Sequence, residues 1–582
     1  MIFYDFEVFK DDWLCVVLDF YNQEETLVIN DPGLLKLIYR QHKDDIWVGY
    51  NNRHYDLWIK RAILGGYNPK AMNDWIIKEH NNPYDFDSEI NKFESIEYDV
   101  IGNNDDGLKS LEGYMGHNIK ESSIPFDIDR KLTEDELLET IEYCRHDVEE
   151  TVEVFFSRID DFNSQLFLLK KYELPLGFMS RTKSQLSAQI LGAEKISMDD
   201  DFNTSIPETA IVKKYTQVVD FYKNYSSYDD SLPPQQIAGM DVQFGIGGGH
   251  GALKNHHSKG YFLNVDVGSL YPSLMRRYPD QCFSRAVNED GIKRFVEILT
   301  YRFKLKKEGK KKEQAPFKLI LNSTYGCFKD RYNAMFDPRA ANNVCIYGQI
   351  LVCVDLVERL EDLCQIMQIN TDGLLLKLKY ESDFYKVDDI CYEWEQRTGL
   401  SLDFDDYGYG ELWQKDVNNY LIKSQDGIYK CKGSWLKEQN DLDYQQPILN
   451  DALREYMVNN TPIEETINNC TDLRKFQTII KASTKFDGLL YGGTRIKNKG
   501  SFIHTGGQKL NERCVRGFAT TDQSKGSVWL LDGGKAVKPK GITVPDHIEI
   551  INENILDLEI PAWLDKKWYI NLAKARLEKF GV

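Results

Sequence analysis

Asp5 and Glu7 stand two residues apart in Ile2-Phe3-Tyr4-Asp5-Phe6-Glu7. On a strand, that spacing turns both side chains to one side of a sheet. Asp56 closes the run Asn52-x-x-Tyr55-Asp56, at the start of a helix after the next buried strand. Asp147 follows Tyr143 by four positions, which puts acid and phenol on one helix face. Four converging acids bind two hard divalent cations through oxygen, as Mg²⁺ prefers. Two such ions about 3.5–4 Å apart activate a water and stabilise the leaving oxygen of a phosphodiester. Any one of these acids alone reads better as a surface acid. The companions at Asn52, Tyr55 and Tyr143 weaken that reading.

A second set lies mid-chain. Asn264-Val265-Asp266-Val267-Gly268-Ser269-Leu270-Tyr271-Pro272-Ser273 reads as a strand end, a turn and a helix start. Asp266 falls at the strand tip, and the backbone N–H groups after it suit phosphate oxygens. An ordinary turn with Ser269 and Ser273 as caps is the plainer alternative. In Lys318-Leu319-Ile320-Leu321-Asn322-Ser323-Thr324-Tyr325-Gly326, helical spacing puts Lys318, Asn322 and Tyr325 on one face. Arg302 and Lys306 share the four-residue spacing on a preceding helix, and such a cationic face can grip a triphosphate. Asn370-Thr371-Asp372-Gly373 sets an acid in a turn, where a plain Asp-Gly hairpin is again the simpler alternative. Asp266 and Asp372 on neighbouring strands could share two metal ions.

The elements that must carry these residues are legible. Strands are expected at Ile2–Glu7, over the apolar run Trp13–Phe20, and at Ile46–Tyr50, the last leading into a helix from about Tyr55 to Leu64. Thr133-Glu134-Asp135-Glu136 is a capping-box start for a helix from Glu134 to Phe162. Ser197–Pro234 is polar and proline-marked, an expected boundary or extended connection. A strand at Gly260–Val267 follows the glycine run Gly245-Ile246-Gly247-Gly248-Gly249. Lys304–Lys312 reads as an exposed tip between two helices, Tyr347–Gln365 as a long helix, and Gln365–Lys379 as strand, turn and strand.

In this order and spacing, Asp5-x-Glu7, Asn52-x-x-Tyr55-Asp56 and Tyr143-x-x-x-Asp147 resemble the three motifs of the DEDD-type proofreading 3′–5′ exonucleases that carry a tyrosine. The mid-chain segments resemble the three polymerase motifs of the family B DNA polymerases. The first matches D-x-x-S-L-Y-P-S and the second K-x-x-x-N-S-x-Y-G. The third normally reads D-T-D with a serine following; here Asn370 replaces the first acid and Gly373 the serine, while Asp372, the family's metal ligand, is kept.

The resemblance implies an α/β and α+β multidomain fold: an RNase H-like exonuclease domain over 1–165, connection and first palm segment over 166–287, fingers over 288–345, palm over 346–435, and thumb with the C-terminal region over 436–582. It implies that Asp5, Glu7, Asp56 and Asp147 hold metal, that Tyr143 orients the attacking water, and that Asn52 contacts the single-stranded 3′ end. Asp266, the Val267 backbone and Asp372 would hold two Mg²⁺, with Mn²⁺ able to substitute. Ser269 and Leu270 would take the triphosphate tail through their backbone. The Tyr271 ring would exclude a 2′-hydroxyl, Arg302 and Lys318 would neutralise phosphate charge, and Asn322 with Tyr325 would line the base-pair pocket. Phe244–Gly249 resembles the Y-x-G-G link, bringing Gly247 and Gly248 to the template. Tyr420 and Lys432 resemble the K-x-Y region near the primer, although Asn418 stands where that motif has lysine.

Lys318 follows Asp266 by 52 positions, which leaves little room for the insertions of protein-primed phage enzymes. With the exonuclease motif opening the chain, the resemblance is to a compact bacteriophage-type enzyme extending ordinary nucleic-acid primers. The implied partners are a DNA primer–template and deoxynucleoside triphosphates, with a clamp, helicase–primase or single-strand-binding protein as candidates, acting on a monomer. One alternative is a 3′–5′ exonuclease whose polymerase half is an inactive DNA-binding scaffold, for which only Asn370 speaks. Another is a single-strand-binding protein, which would not need six acids in metal-ligand contexts.

Composition bounds these readings. At roughly 100–200 residues per domain, 582 residues make about three to five domains. Hydrophobic residues at 42% argue against disorder. With 72 basic and 91 acidic residues the net charge is −19, which disfavours a passive basic coat on nucleic acid but leaves room for a local basic groove. The eleven cysteines contain no Cys-x-x-Cys pair, which disfavours a zinc ribbon and points to reduced thiols in a cytoplasm, that of a host if the chain is viral. The N-terminus lacks a signal-peptide pattern, and no apolar stretch of membrane-spanning length is expected. Trp563–Tyr569 mixes aromatic and basic residues, suited either to strand contacts or to a packed terminal helix.

Overall fold

The computed structural model describes residues 1–102, 107–498 and 501–582, with the main chain alone over 494–498 and 501–505. The chain forms two compact units. The first comprises Met1–Ser180, Glu438–Leu449 and Ile467–Asn571; the second comprises Arg181–Lys437, Asn450–Thr466 and Leu572–Val582.

In the first unit, β1 (Ile2–Val8), β2 (Trp13–Asp19), β3 (Glu24–Ile29), β4 (Ile46–Gly49) and β5 (Ile96–Asp99) form one sheet in the order β3-β2-β1-β4-β5. β1 pairs antiparallel with β2 and parallel with β4. Buried on both faces, β1 carries Ile2, Phe3, Tyr4 and Phe6 in the core and leaves Asp5 and Glu7 at one end of the sheet. The Thr133 capping box is present, with Glu136 returning the hydrogen bond. The helix it starts ends at Ser157, and a second helix begins at Ile159, because Arg158 leaves helical geometry with φ −115°. The single helix expected to Phe162 is therefore two.

The break expected at residue 165 and the separate C-terminal domain expected from 436 both differ from the observed grouping. Strands Thr478–Lys481, Cys514–Ala519 and Ile548–Ile550 form a small sheet inside the first unit. Arg516 explains the association. Its guanidinium is fully buried and donates to the carbonyls of Gly113 (3.1 Å), His117 (2.6 Å) and Glu553 (2.8 Å). Tyr569 is buried as well, and its hydroxyl donates to the Phe476 carbonyl at 2.6 Å, so this end of Trp563–Tyr569 packs into the core.

The second unit is built on a nine-stranded antiparallel sheet. Its middle runs Asn419–Ser424, Leu402–Asp416, His256–Val267, Gly373–Leu378 and Gln365–Asn370 as neighbours. Leu270–Arg277 follows the strand that carries Asp266, and Glu289–Lys307 and Lys311–Cys327 form a helical hairpin with the lysine-rich tip between them. The polar segment Ser197–Pro234 is mostly irregular but contains the helix Thr216–Lys223.

The helix expected at Tyr347–Gln365 instead begins at Pro338, capped by Asp337, passes through a π-helical stretch at Gln349–Leu356, and ends at Leu360. This 23-residue run is long and apolar enough to cross a membrane, contrary to the sequence reading, and its apolar stretch is buried inside the protein. Asn343 and Gln349 interrupt its apolar letters, yet both are buried and bonded: Asn343 Nδ2 donates to the Gln281 carbonyl at 3.0 Å and Gln349 Oε1 accepts from Tyr222 at 2.7 Å. All eleven cysteines are free thiols, nine buried and two half-buried.

Two candidate carboxylate sites

In the first unit, β1 delivers Asp5 and Glu7, and Asp147 reaches them from the helix Glu134–Ser157. One carboxylate oxygen from each of the three lies within 4.8 Å of the others. Asp56 is the first residue of the helix Asp56–Leu64, and its Oδ1 accepts the Phe6 N–H at 3.3 Å, which ties it to the backbone between the other two acids. Burial, then the charges of Asp56, Glu7 and Asp147, push the Asp5 carboxyl well above its usual range. Burial and Asp147 do the same to Glu7, and burial raises Asp147 and pushes Asp56 up to about 7. Four buried acids crowded this way carry more negative charge than the neighbouring Lys109 ammonium offsets, and their donor atoms are all oxygen. The set fits hard divalent cations.

Tyr143 sits one helical turn before Asp147, as its spacing requires, and burial followed by the neighbouring acids raises its hydroxyl pKa. Asn52 lies in the interior of the first unit. It is fully buried, and its Nδ2 donates to Glu97 Oε2 at 3.0 Å. Glu97 also pairs with the buried Lys60 at 2.6 Å and accepts from Tyr4 at 2.8 Å. The Asn52 Nδ2 thus belongs to an internal polar cluster with Glu97, Lys60 and Tyr4, and its buried Oδ1 makes no hydrogen bond among the described residues. Lys109 was missed entirely. Its ammonium touches Asp147 Oδ1, although 38 residues separate the two, and no sequence spacing signals that approach.

In the second unit, Asp266 is the penultimate residue of its strand and stands directly opposite Gly373, and the Val267 N–H donates to the Asp372 carbonyl at 2.7 Å. The two acids thus lie side by side at one end of the sheet. Burial and the Asp372 charge push the Asp266 carboxyl up to about 6, against the opposing Asn264 Nδ2 donor at 2.7 Å. These oxygens, with the Val267 backbone beside them, again fit divalent cations. Ser269 takes a left-handed conformation (φ +53°) at the strand-to-helix turn and makes no cap; its hydroxyl accepts from Arg302 instead. Ser273 Oγ donates to the Gly268 carbonyl at 2.7 Å and braces the same turn.

A cavity of about 640 Å³ opens here, lined by Ser269, Leu270, Tyr271, Arg302, Lys318, Asn322, Tyr325, Asp372, Gly247 and Lys432 among others. The Tyr271 and Tyr325 rings pack with centroids 4.5 Å apart. The Tyr271 hydroxyl donates to the Gly247 carbonyl, and the Tyr325 hydroxyl lies 2.8 Å from Cys345 Sγ. Gly248 rests against Thr371, where a Cβ would come within 2.0 Å of Oγ1. Asn370 Oδ1 accepts the Thr371 N–H at 2.9 Å and lies 3.2 Å from His250 Nδ1, a cavity-lining histidine that sequence reading did not single out. Tyr420 pairs in register with Lys432 but is buried in a small core with Phe262, Met367 and Leu412, so of the two only Lys432 reaches the cavity. Lys306 turns to Asp403, 2.9 Å away.

No family model matches the chain. "DNA polymerase 1" of Saccharolobus solfataricus is 22% identical over 295 residues, which span 43% of this chain and 31% of that protein. "DNA polymerase 1" of Sulfurisphaera ohwakuensis is 21% identical over 275 residues, 40% of this chain and 30% of that protein. The chain thus matches less than a third of the length of these curated relatives. Among solved structures, a family B DNA polymerase from the hyperthermophilic archaeon Pyrobaculum calidifontis aligns with 99% of this chain and 77% of its own, at 12% identity and a TM-score of 0.38.

Proposed function

We propose that this chain is a template-directed DNA polymerase of the family B type, adding deoxynucleotides to a primer 3′-hydroxyl, and that its first unit trims the 3′ end of the strand. The convergence of Ser269, Tyr271, Arg302, Lys318, Asn322 and Tyr325 on one cavity beside Asp372 carries the reading. These residues come from three separate stretches of chain, and a generic fold has no reason to gather them.

Bound between Asp266 and Asp372, Mg²⁺ would supply the charge that activates the primer hydroxyl and holds the triphosphate. Arg302 and Lys318 bring two further positive charges to the phosphates. The left-handed turn at Ser269 would offer them the backbone N–H groups of Ser269 and Leu270. The Tyr271 ring, held by Gly247 and Tyr325, stands where it can press against the sugar and reject a 2′-hydroxyl. In the first unit, Asp5, Glu7, Asp56 and Asp147 form the metal-holding set, and Tyr143 orients a water toward the scissile phosphate.

The setting we propose is compact bacteriophage-type replication in a host cytoplasm, with a DNA primer–template, deoxynucleoside triphosphates and an accessory clamp, helicase–primase or single-strand-binding protein. Asn370 supports a second reading, a nuclease whose polymerase half only holds DNA. A labelled hairpin primer incubated with Mg²⁺ and nucleotides separates the two. Asp266→Ala should abolish lengthening and leave shortening, and Asp5→Ala should do the reverse. A wild-type chain that shortens the primer and never lengthens it supports the second reading.

A further inference from the structure

The carboxylate pocket of the first unit holds a cation of its own. Lys109, on the helix Leu108–Met115, sets its ammonium against Asp147 Oδ1 and 3.0 Å from Oε1 of the buried Glu112. The same nitrogen lies 4.4 Å from the centroid of the Tyr143 ring. One side chain thus touches both groups that the Glu134–Ser157 helix brings to the site.

Lys109 is fixed from behind. Its carbonyl lies 3.6 Å from Cys514 Sγ. The carbonyls of Gly113 and His117, closing its helix, take the buried Arg516 guanidinium. Glu121 accepts the backbone N–H groups of Arg513 and Cys514 at 2.9 and 2.8 Å. The strand Cys514–Ala519 therefore clamps the helix that aims the ammonium.

We propose that Lys109 is a positioning residue of the trimming site: it holds Asp147 and Tyr143 in register and balances their charge, and the C-terminal strands keep it aimed. This rests on the trimming function proposed above. Two effects of the ammonium oppose each other. It repels an arriving divalent cation, and it orders the groups that the cation and the water must meet. Removing it should tighten metal binding and slow the chemistry together. A residue acting only through the fold would weaken both.

The test uses the full chain carrying Asp266→Ala, so that Mn²⁺ reports on the first unit. Lys109→Met and Lys109→Arg are compared with the parent by Mn²⁺ titration followed by electron paramagnetic resonance, and by single-turnover trimming of a single-stranded 3′ end at saturating Mn²⁺. Lys109→Met should bind Mn²⁺ about tenfold more tightly, as loss of a nearby like charge requires. It should trim about 10–100-fold more slowly, the usual cost of losing a residue that orients metal ligands. Lys109→Arg should move both values back toward the parent. Unchanged or weaker Mn²⁺ binding, or trimming at the parent rate, overturns the proposal. Lys109→Gln, neutral but still able to hydrogen-bond, replaces the methionine variant if that chain fails to fold. A parent that trims nothing overturns the nuclease reading instead, and the Mn²⁺ titration then still decides the placement of Lys109.

Discussion

The Asp266 carboxylate lies against the backbone of Gly373, so closely that a Cβ at position 373 would meet Oδ1 at 2.0 Å. The strand register puts the two residues opposite each other, and the same Cβ would also meet the Val265 carbonyl at 2.6 Å and the Asp266 Cα at 2.9 Å. Gly373→Ala and Gly373→Ser should therefore displace the carboxylate and shift the end of the strand pair that carries it. A misplacement of about 1 Å at a reacting centre costs about 100-fold in rate. Primer extension should fall by about that factor with trimming unchanged, and equal rates for the variant and parent chains would show that Asp266 is not where synthesis happens.

The Tyr271 ring is held by Tyr325 on one side and by the Gly247 carbonyl at its hydroxyl. Tyr271→Ala removes the ring and should raise ribonucleotide incorporation by about 10-fold or more relative to deoxynucleotides. Tyr271→Phe keeps the ring and should keep most of the discrimination. The ratio of kcat/KM for the two sugars measures this.

Acid should act on both pockets through metal binding. Asp56 and Asp266 are pushed up to about 7 and about 6, so each carboxyl takes a proton more readily in the folded, cation-free chain than in the unfolded one. Their contribution to stability is complete below the ordinary carboxyl range and is lost as pH rises through 6 and 7. A bound cation replaces the lost proton. Added Mg²⁺ should thus raise Tm more at about pH 8 than at about pH 6. The half-saturating Mg²⁺ concentration should climb more steeply on acidification for trimming than for extension. Calorimetry and titrated rate assays check the two statements, and a larger Tm gain at the lower pH would contradict the charge assignment.

Arg516→Met should uncouple the C-terminal strands from the helix Leu108–Met115. Losing several bonds from a buried guanidinium costs about 3 kcal/mol or more, since the freed carbonyls stay buried. Hydrogen exchange at the amides of 108–115 should quicken and trimming should fall, with extension retained. Unchanged exchange there would mean that the helix is held by other contacts.

The acids were legible because each one follows the period of its element: two on a strand for Asp5 and Glu7, four on a helix for Tyr143 and Asp147. The cavity residues were legible through the same periodicity, and because Asp-Gly at 372–373 marks a turn. What escaped depends on tertiary approach. Lys109 meets Asp147 across helices with no shared spacing, and Glu97 draws Asn52 and Lys60 inward from two other elements. Asn343 and Gln349 disguised a core helix as something more polar, since letters do not show that a buried amide is bonded.

Arg516 and Glu112 lie 404 positions apart in the chain. A ribosome adding about 5–20 residues per second needs roughly 20–80 s to cover that interval. Through all that time the amino-terminal sheet exists without the strands that close around its neighbouring helix. The first unit opens the chain yet cannot close until the stretch ending at Asn571 has been made, so nearly the whole chain must leave the ribosome before the helix that carries Lys109 is clamped.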